Sequence, residues 1–101
     1  MNRKVVLSRK AKNNLTDLLE FLERRWSVKV KSDFIKKLDY RIKLILTYPK
    51  SCPESKEIKG LYRCVVTKQT SFLYKIKPNF IEIVVIYDNR QHPKRITGKR
   101  K

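Results

Sequence analysis

Leu61-Tyr62-Arg63-Cys64-Val65-Val66-Thr67, Phe72-Leu73-Tyr74-Lys75-Ile76-Lys77 and Phe80-Ile81-Glu82-Ile83-Val84-Val85-Ile86-Tyr87 are the three runs whose reading decides the fold. They are rich in β-branched and aromatic residues, which suit a pleated, half-buried surface. The links around Gln69-Thr70 and Pro78-Asn79 are short enough for hairpins, so an antiparallel sheet is predicted. The last run does not stop at an ordinary turn. It leads into Asp88-Asn89-Arg90-Gln91-His92-Pro93, where an arginine, an amide and the single histidine of the chain arrive together. That polar end of an apolar sheet is the first place to look for chemistry.

Alternation assigns side chains to faces. In the last run Ile81, Ile83, Val85 and Tyr87 are placed on one face, and Phe80, Glu82, Val84 and Ile86 on the other. Both faces are apolar, which predicts a central strand whose second face is partly covered. In the run before it, Phe72, Tyr74 and Ile76 oppose Leu73, Lys75 and Lys77, giving one surface of the sheet positive charge. Arg63 falls near the same end of the sheet as Arg90, and the two outline a basic cleft.

Toward the N-terminus, residues 3–7 read as a short first strand, and Ser8 offers a side-chain oxygen to cap a helix. The period then changes. Ala11, Leu15, Leu18, Leu19, Leu22 and Trp26 recur at helical spacing, which predicts a helix over residues 9–25. Ser27 caps a second helix with the stripe Phe34, Ile35, Leu38, Ile42, Ile45 and Leu46, stopped at Pro49. Trp26, Tyr40 and Tyr48 are expected to pack in the core and along the helix edges rather than to form a base-stacking platform. Residues 49–59 hold two prolines and no periodicity, and are expected to form an exposed crossover loop. The order is β-α-α-β-β-β. It gives an α+β fold, with an N-terminal helical hairpin packed on a small, mainly antiparallel sheet.

A chain of 101 residues with 41% hydrophobic residues, two glycines and four prolines has the composition of a packed domain rather than a low-complexity segment. We expect one domain over residues 1–93, followed by a basic tail over 94–101. Against 26 Lys and Arg stand only 9 Asp and Glu, a net charge of +17. Solubility does not require so large an imbalance, and it points to a polyanion or an acidic partner. From Arg90 onward no acid appears. Cys52 and Cys64 are too few for a metal set, and they read as a loop thiol and a small buried side chain. No signal-like or long apolar segment opens the sequence, so a cytoplasmic protein without a membrane partner is expected.

The order of elements, the basic excess and several short motifs resemble the RelE/ParE superfamily of bacterial toxins from type II toxin–antitoxin operons, including plasmid stabilisation proteins. The opening Val6-Leu7-Ser8-Arg9-Lys10-Ala11 resembles that family's passage from strand to helix, and Gly60-Leu61-Tyr62-Arg63 its G-x-x-R start of the sheet. Tyr74 stands where the family often ends a hairpin strand with tyrosine. Asp88-Asn89-Arg90-Gln91-His92-Pro93 is similar to the segment that closes the last strand in one branch. The resemblance implies a growth-inhibiting toxin without a cofactor or metal, silenced by a cognate acidic antitoxin. It also implies one of two targets. ParE-like members poison DNA gyrase on its DNA, whereas RelE-like members cut messenger RNA on the ribosome without a metal.

For the nuclease, chemistry needs a group to take a proton from the 2′-hydroxyl, positive charge at the phosphate and a proton donor for the leaving oxygen. The resemblance assigns these tasks to Arg63, Arg90 and His92, with Lys56, Lys59 and Lys68 guiding the backbone. Lys94 and Arg95 are expected as further nucleic-acid contacts, in a basic tail that could equally meet an acidic antitoxin or fray. RelE-like nucleases also place an arginine on the second hairpin strand, shortly before the tyrosine. Here Thr70, Ser71 and Phe72 occupy that region, and the long hairpin with Trp26 at its tip is more ParE-like. A ParE-like gyrase poison is therefore the leading expectation, the ribosome-dependent mRNA endonuclease is second, and a relative that only binds nucleic acid or its antitoxin is third. Simpler readings stand beside these: His92 as a surface turn residue, Arg90 paired with Asp88, and Arg63 on an exposed strand face.

Overall fold

The computed structural model describes residues 4–89. Its elements are β1 (Lys4–Leu7), α1 (Arg9–Arg25), α2 (Val28–Thr47), β2 (Tyr62–Val65), β3 (Thr70–Ile76) and β4 (Phe80–Asp88). This is the expected β-α-α-β-β-β order. The sheet runs β1-β4-β3-β2, with β1 parallel to β4 and the other pairs antiparallel. Both helices contribute to one core over the sheet. Arg90, His92, Lys94, Arg95 and the tail over 94–101 lie outside the described residues.

The helices begin where their caps predict. Ser8 has extended backbone and its Oγ accepts from the Ala11 N–H at 3.0 Å. Ser27 repeats the arrangement with the Val30 N–H at 3.1 Å. Each cap satisfies one of the four orphan donors of a helix start, an effect worth about 1 kcal/mol. Ala11 is fully buried, and Leu15, Leu18, Leu19 and Leu22 pack behind it against Phe34, Leu38 and Ile45 of α2 and the sheet.

Trp26 departs from the expectation. It is the C-cap of α1, its N–H bonded to the Leu22 carbonyl at 2.9 Å, and it is 67% exposed. Helical spacing carries a stripe onward only while the helix continues, and α1 ends at Arg25. Tyr40 and Tyr48 are likewise exposed rather than packed, and Ile35 falls outside the buried stripe.

The second departure decides the site. Along β3 and β4 the register runs Leu73↔Val85 and then Tyr74↔Ile83, leaving Val84 as an extra residue in β4. A β-bulge of this kind moves every later side chain to the opposite face. Ile81 and Ile83 enter the helix-side core together, but beyond the bulge Ile86 does so, not Val85. Val85 and Tyr87 join Leu61 and Leu73 in a second cluster on the outer face, with Ile58 and Val84 packed against it. Ile81, Ile83, Val85 and Tyr87 thus do not share a face.

The backbone groups at the bulge are taken up by the start of α1. Ser8 N–H donates to the Ile83 carbonyl at 2.9 Å, and Ser8 Oγ donates to the Val84 carbonyl at 2.6 Å. Asn14 Oδ1 accepts from the Ile86 N–H at 3.1 Å. Ser8 therefore both caps α1 and fixes the bulge.

The crossover is more ordered than an exposed loop. Glu54 bridges to Tyr62, and the Arg63 N–H donates to the Pro53 carbonyl at 2.9 Å, covering the outer edge of β2. Ser55 is buried, and its Oγ accepts from the N–H groups of Glu57 and Ile58 at 3.2 and 3.1 Å. Gly60 closes the loop at φ 88°, a left-handed conformation that glycine adopts without the Cβ strain of other residues.

Tyr74 is fully buried, stacked on Tyr62 with centroids 5.4 Å apart, and its hydroxyl donates to the Pro49 carbonyl at 2.7 Å. Burial, reinforced by Cys52 and Cys64, pushes its phenol well above its ordinary value. Cys64 is buried and Cys52 half-buried, both as free thiols. Burial first, then the neighbouring Cys52, pushes the Cys64 thiol from 9.0 up to about 12.

Two outcomes are expected. Asn14→Ala strands the Ile86 N–H and is expected to lower unfolding free energy by about 1–2 kcal/mol in urea titrations. The raised Cys64 value favours the protonated thiol in the folded state, so its contribution is fully present below pH 9.0 and is lost as pH rises toward about 12. Denaturation midpoints measured across that range are expected to fall with pH, and to fall less steeply in Cys64→Ala.

Candidate functional site

At the end of the sheet where β4 leaves, the outer face carries a connected polar cluster of Arg63, Ser71, Tyr87 and Asn89. Arg63 sits on β2 opposite Leu73, which is opposite Val85 of β4. Its Nε donates to the Tyr87 hydroxyl at 2.9 Å, and its Nη2 reaches Asn89 Oδ1 at 3.5 Å. Tyr87 can accept there only because the bulge has turned it to the outer face.

Asn89 ties this face to the hairpin turn between β2 and β3. Its Oδ1 also accepts from the hydroxyl of Ser71, a fully buried residue. Its Nδ2 donates to the carbonyls of Thr67 and Lys68 at 3.3 and 2.7 Å, and its N–H to the Gln69 carbonyl at 2.7 Å. Both amide protons and the side-chain oxygen are thereby engaged. The turn itself is closed by Thr67 Oγ1, which accepts from the N–H groups of Gln69 and Thr70. Position 89 is therefore pinned to the sheet one residue before Arg90.

The cluster brings some expected residues together and leaves others apart. Lys68 is joined to it through its carbonyl, with its side chain exposed. Lys56 and Lys59 are exposed in the loop whose Ile58 packs on the same outer face, but no bond links them to Arg63. Arg63 is half-buried, and among the described residues no carboxylate lies within ion-pair distance of it. Tyr74, in contrast, belongs to the helix-side core.

The region of β3 where the resemblance to RelE-like nucleases would put an arginine carries Thr70, Ser71 and Phe72, all buried. Sequence reasoning missed Ser71, Tyr87 and Asn89 as partners of Arg63. A signal for Asn89 existed in its place at the strand's end, where an amide can bond a neighbouring turn. Tyr87 had no such signal, because simple alternation groups it with Ile81 and Ile83, which face the helices.

Chemically, the arrangement presents one oriented guanidinium beside a phenol, able to hold a phosphate or a carboxylate. Among the described residues no group of three or more His, Cys, Asp or Glu side chains converges as a metal set. No helix among them is long and apolar enough to cross a membrane. Asn89→Ala removes a shared acceptor from the buried Ser71 hydroxyl and unpins the turn. It is expected to cost about 2 kcal/mol of stability in urea titrations and to speed amide exchange at Gln69 and Thr70.

Comparison with known proteins places this geometry. Residues 5–93 match the sequence model of the ParE toxin of the type II toxin–antitoxin system parDE. No curated protein sequence matches at a significant level. Among solved structures, a chain of the chromosomal ParDE toxin–antitoxin system from P. aeruginosa superposes with a TM-score of 0.72 at 14% identity, over 87% of this chain and 96% of that one. The E. coli DinJ–YafQ toxin–antitoxin complex gives 0.60 at 13% identity, over 89% and 96%. The YoeB/ParE toxin from Agrobacterium tumefaciens gives 0.60 at 16% identity, over 85% and 98%. At these identities the structures speak for a shared fold, and the sequence match extends over most of the chain. The chain belongs to the ParE toxin family of type II toxin–antitoxin systems.

Proposed function

We propose that this toxin arrests growth by engaging a protein–DNA target of the DNA gyrase kind, and that a cognate acidic antitoxin holds it inactive. The observation that carries the target is the make-up of the outer sheet face. Arg63 is bonded to Tyr87 and Asn89, and the β3 residues near it on this face are Leu73, opposite it, and the buried Ser71. Among the described residues, a nuclease working here would have one half-buried guanidinium where phosphoryl transfer asks for several positioned charges. Losing one such donor typically costs about 10²- to 10³-fold in rate. Arg90 and His92 follow the pinned Asn89 in sequence, and in this reading Arg90 contacts phosphate or the target protein.

The antitoxin is supported by two observations. The net charge of +17 calls for an acidic counterpart. Among the similar folds, one comes from a ParDE system and one from a complex of toxin with antitoxin.

The test expresses the chain alone and together with the product of the adjacent reading frame. Growth arrest relieved by the neighbour is expected. With purified protein, gyrase-dependent linear DNA from supercoiled plasmid is expected, reduced at least tenfold in Arg90→Ala. Cleavage of ribosome-bound messenger RNA, lost in Arg90→Ala, would replace the proposed target with the ribosome. Absence of growth arrest would leave a binding role alone.

A further inference from the structure

The helical hairpin carries a second basic feature, distinct from the Arg63 cluster. On α2, Lys36 and Tyr40, and Lys37 and Arg41, stand four residues apart, so these side chains share one flank of the helix. Together with Val66, just beyond β2, they line a shallow cavity of about 350 Å³. Val66 is buried and apolar, whereas Tyr40 is 62% exposed. The Arg41 guanidinium carbon lies 5.7 Å from the centroid of the Tyr40 ring, within cation–π range.

The other lysines of α2 are already matched to acids. Lys29 pairs with Asp33 at 3.2 Å, Lys43 with Asp39 at 3.0 Å and Lys31 with Glu23 at 2.6 Å. Asp33 and Asp39 are the two acids of α2, and both are turned to other lysines. Among the described residues, no ion pair neutralises Lys36, Lys37 or Arg41. Three cations therefore stand around one exposed aromatic ring and an apolar floor.

We propose that this flank of α2 binds single-stranded nucleic acid, with Lys36, Lys37 and Arg41 on backbone phosphates and Tyr40 stacked on a base. The unmatched charge alone would suit any polyanion. The ring and the Val66 floor narrow the choice. A nucleobase has a flat face to set against tyrosine, and base–aromatic stacking tolerates any sequence. An acidic peptide has carboxylates for the lysines but no flat face for the ring. In a duplex the base faces are hidden in the stack, so Tyr40 would gain nothing. The proposal does not rest on the toxin's target: it is read in binding by the purified chain, whereas the target is read in growth, DNA and mRNA assays.

The test is fluorescence anisotropy of labelled oligo-dT titrated with the full chain at several salt concentrations. Duplex DNA and polyglutamate serve as competitors, and circular dichroism checks that each variant is folded. Tyr40→Ala is expected to weaken oligo-dT binding about tenfold with the salt slope unchanged, and Tyr40→Phe to bind like wild type. The double substitution Lys36→Ala, Lys37→Ala is expected to reduce the slope of log affinity against log salt by about 1.4 units, two phosphate contacts on a single strand. The double substitution Lys10→Ala, Lys12→Ala, on the exposed start of α1, is expected to leave that slope unchanged. Equal losses in the two lysine doubles would overturn the site in favour of diffuse attraction. Tyr40→Ala binding like wild type, or a preference for duplex or polyglutamate over oligo-dT, would overturn the assigned ligand.

Discussion

The extra residue at Val84 determines which surface receives every later side chain of β4. Without it Tyr87 would point into the helix-side core, where Ile86 now packs against Phe72 and Tyr74. With it the hydroxyl of Tyr87 meets Arg63, and Asn89 arrives against the β2–β3 turn. β1 leaves β4 at Leu7↔Ile83, so the backbone groups of β4 from there on along that side need other partners. Here Ser8 and Asn14 supply them from the first two turns of α1. The helix start and the outer face of the sheet are thus coupled through a few bonds on the central strand.

That coupling gives Ser8 two roles in one position. Its Oγ accepts from the Ala11 N–H and donates to the Val84 carbonyl, uses that a single hydroxyl can combine. The short link from β1 to α1 follows from it. β1 stays in register with β4 through Leu7↔Ile83, and the next residue both starts the helix and ends the pairing. The parallel pair needs a crossover, which the two helices provide, and they cover the same face of the sheet that the bulge divides.

Much of this was legible because it rests on local chemistry. The caps at Ser8 and Ser27, the apolar stripe from Ala11 to Leu22 and the hairpin around Pro78-Asn79 each state their geometry in neighbouring residues. The bulge was not legible, because β4 is apolar on both faces: a run of Ile83, Val84, Val85 and Ile86 satisfies two registers equally well. Trp26 was misread for a related reason, since its spacing from Leu22 extends the stripe one step past the helix that carried it. Arg63 stood out as a charge in a strand, but its partners are set by contacts across the sheet between residues far apart in sequence.

The basic excess, finally, divides by what each cation already holds. Arg63 is engaged by a phenol and an amide, so its charge also serves to fix the exit of β4. Lys29, Lys31 and Lys43 are matched by acids on the hairpin surface, where such pairs contribute little to stability but remove charge from the helix face. Among the described residues Lys36, Lys37 and Arg41 have no such match, and they gather beside the ring that the apolar stripe of α2 leaves outside the core. Concentrating unmatched like charge raises self-repulsion in the folded state. An anionic ligand relieves that repulsion, so the same arrangement that weakens the free hairpin strengthens its hold on phosphate.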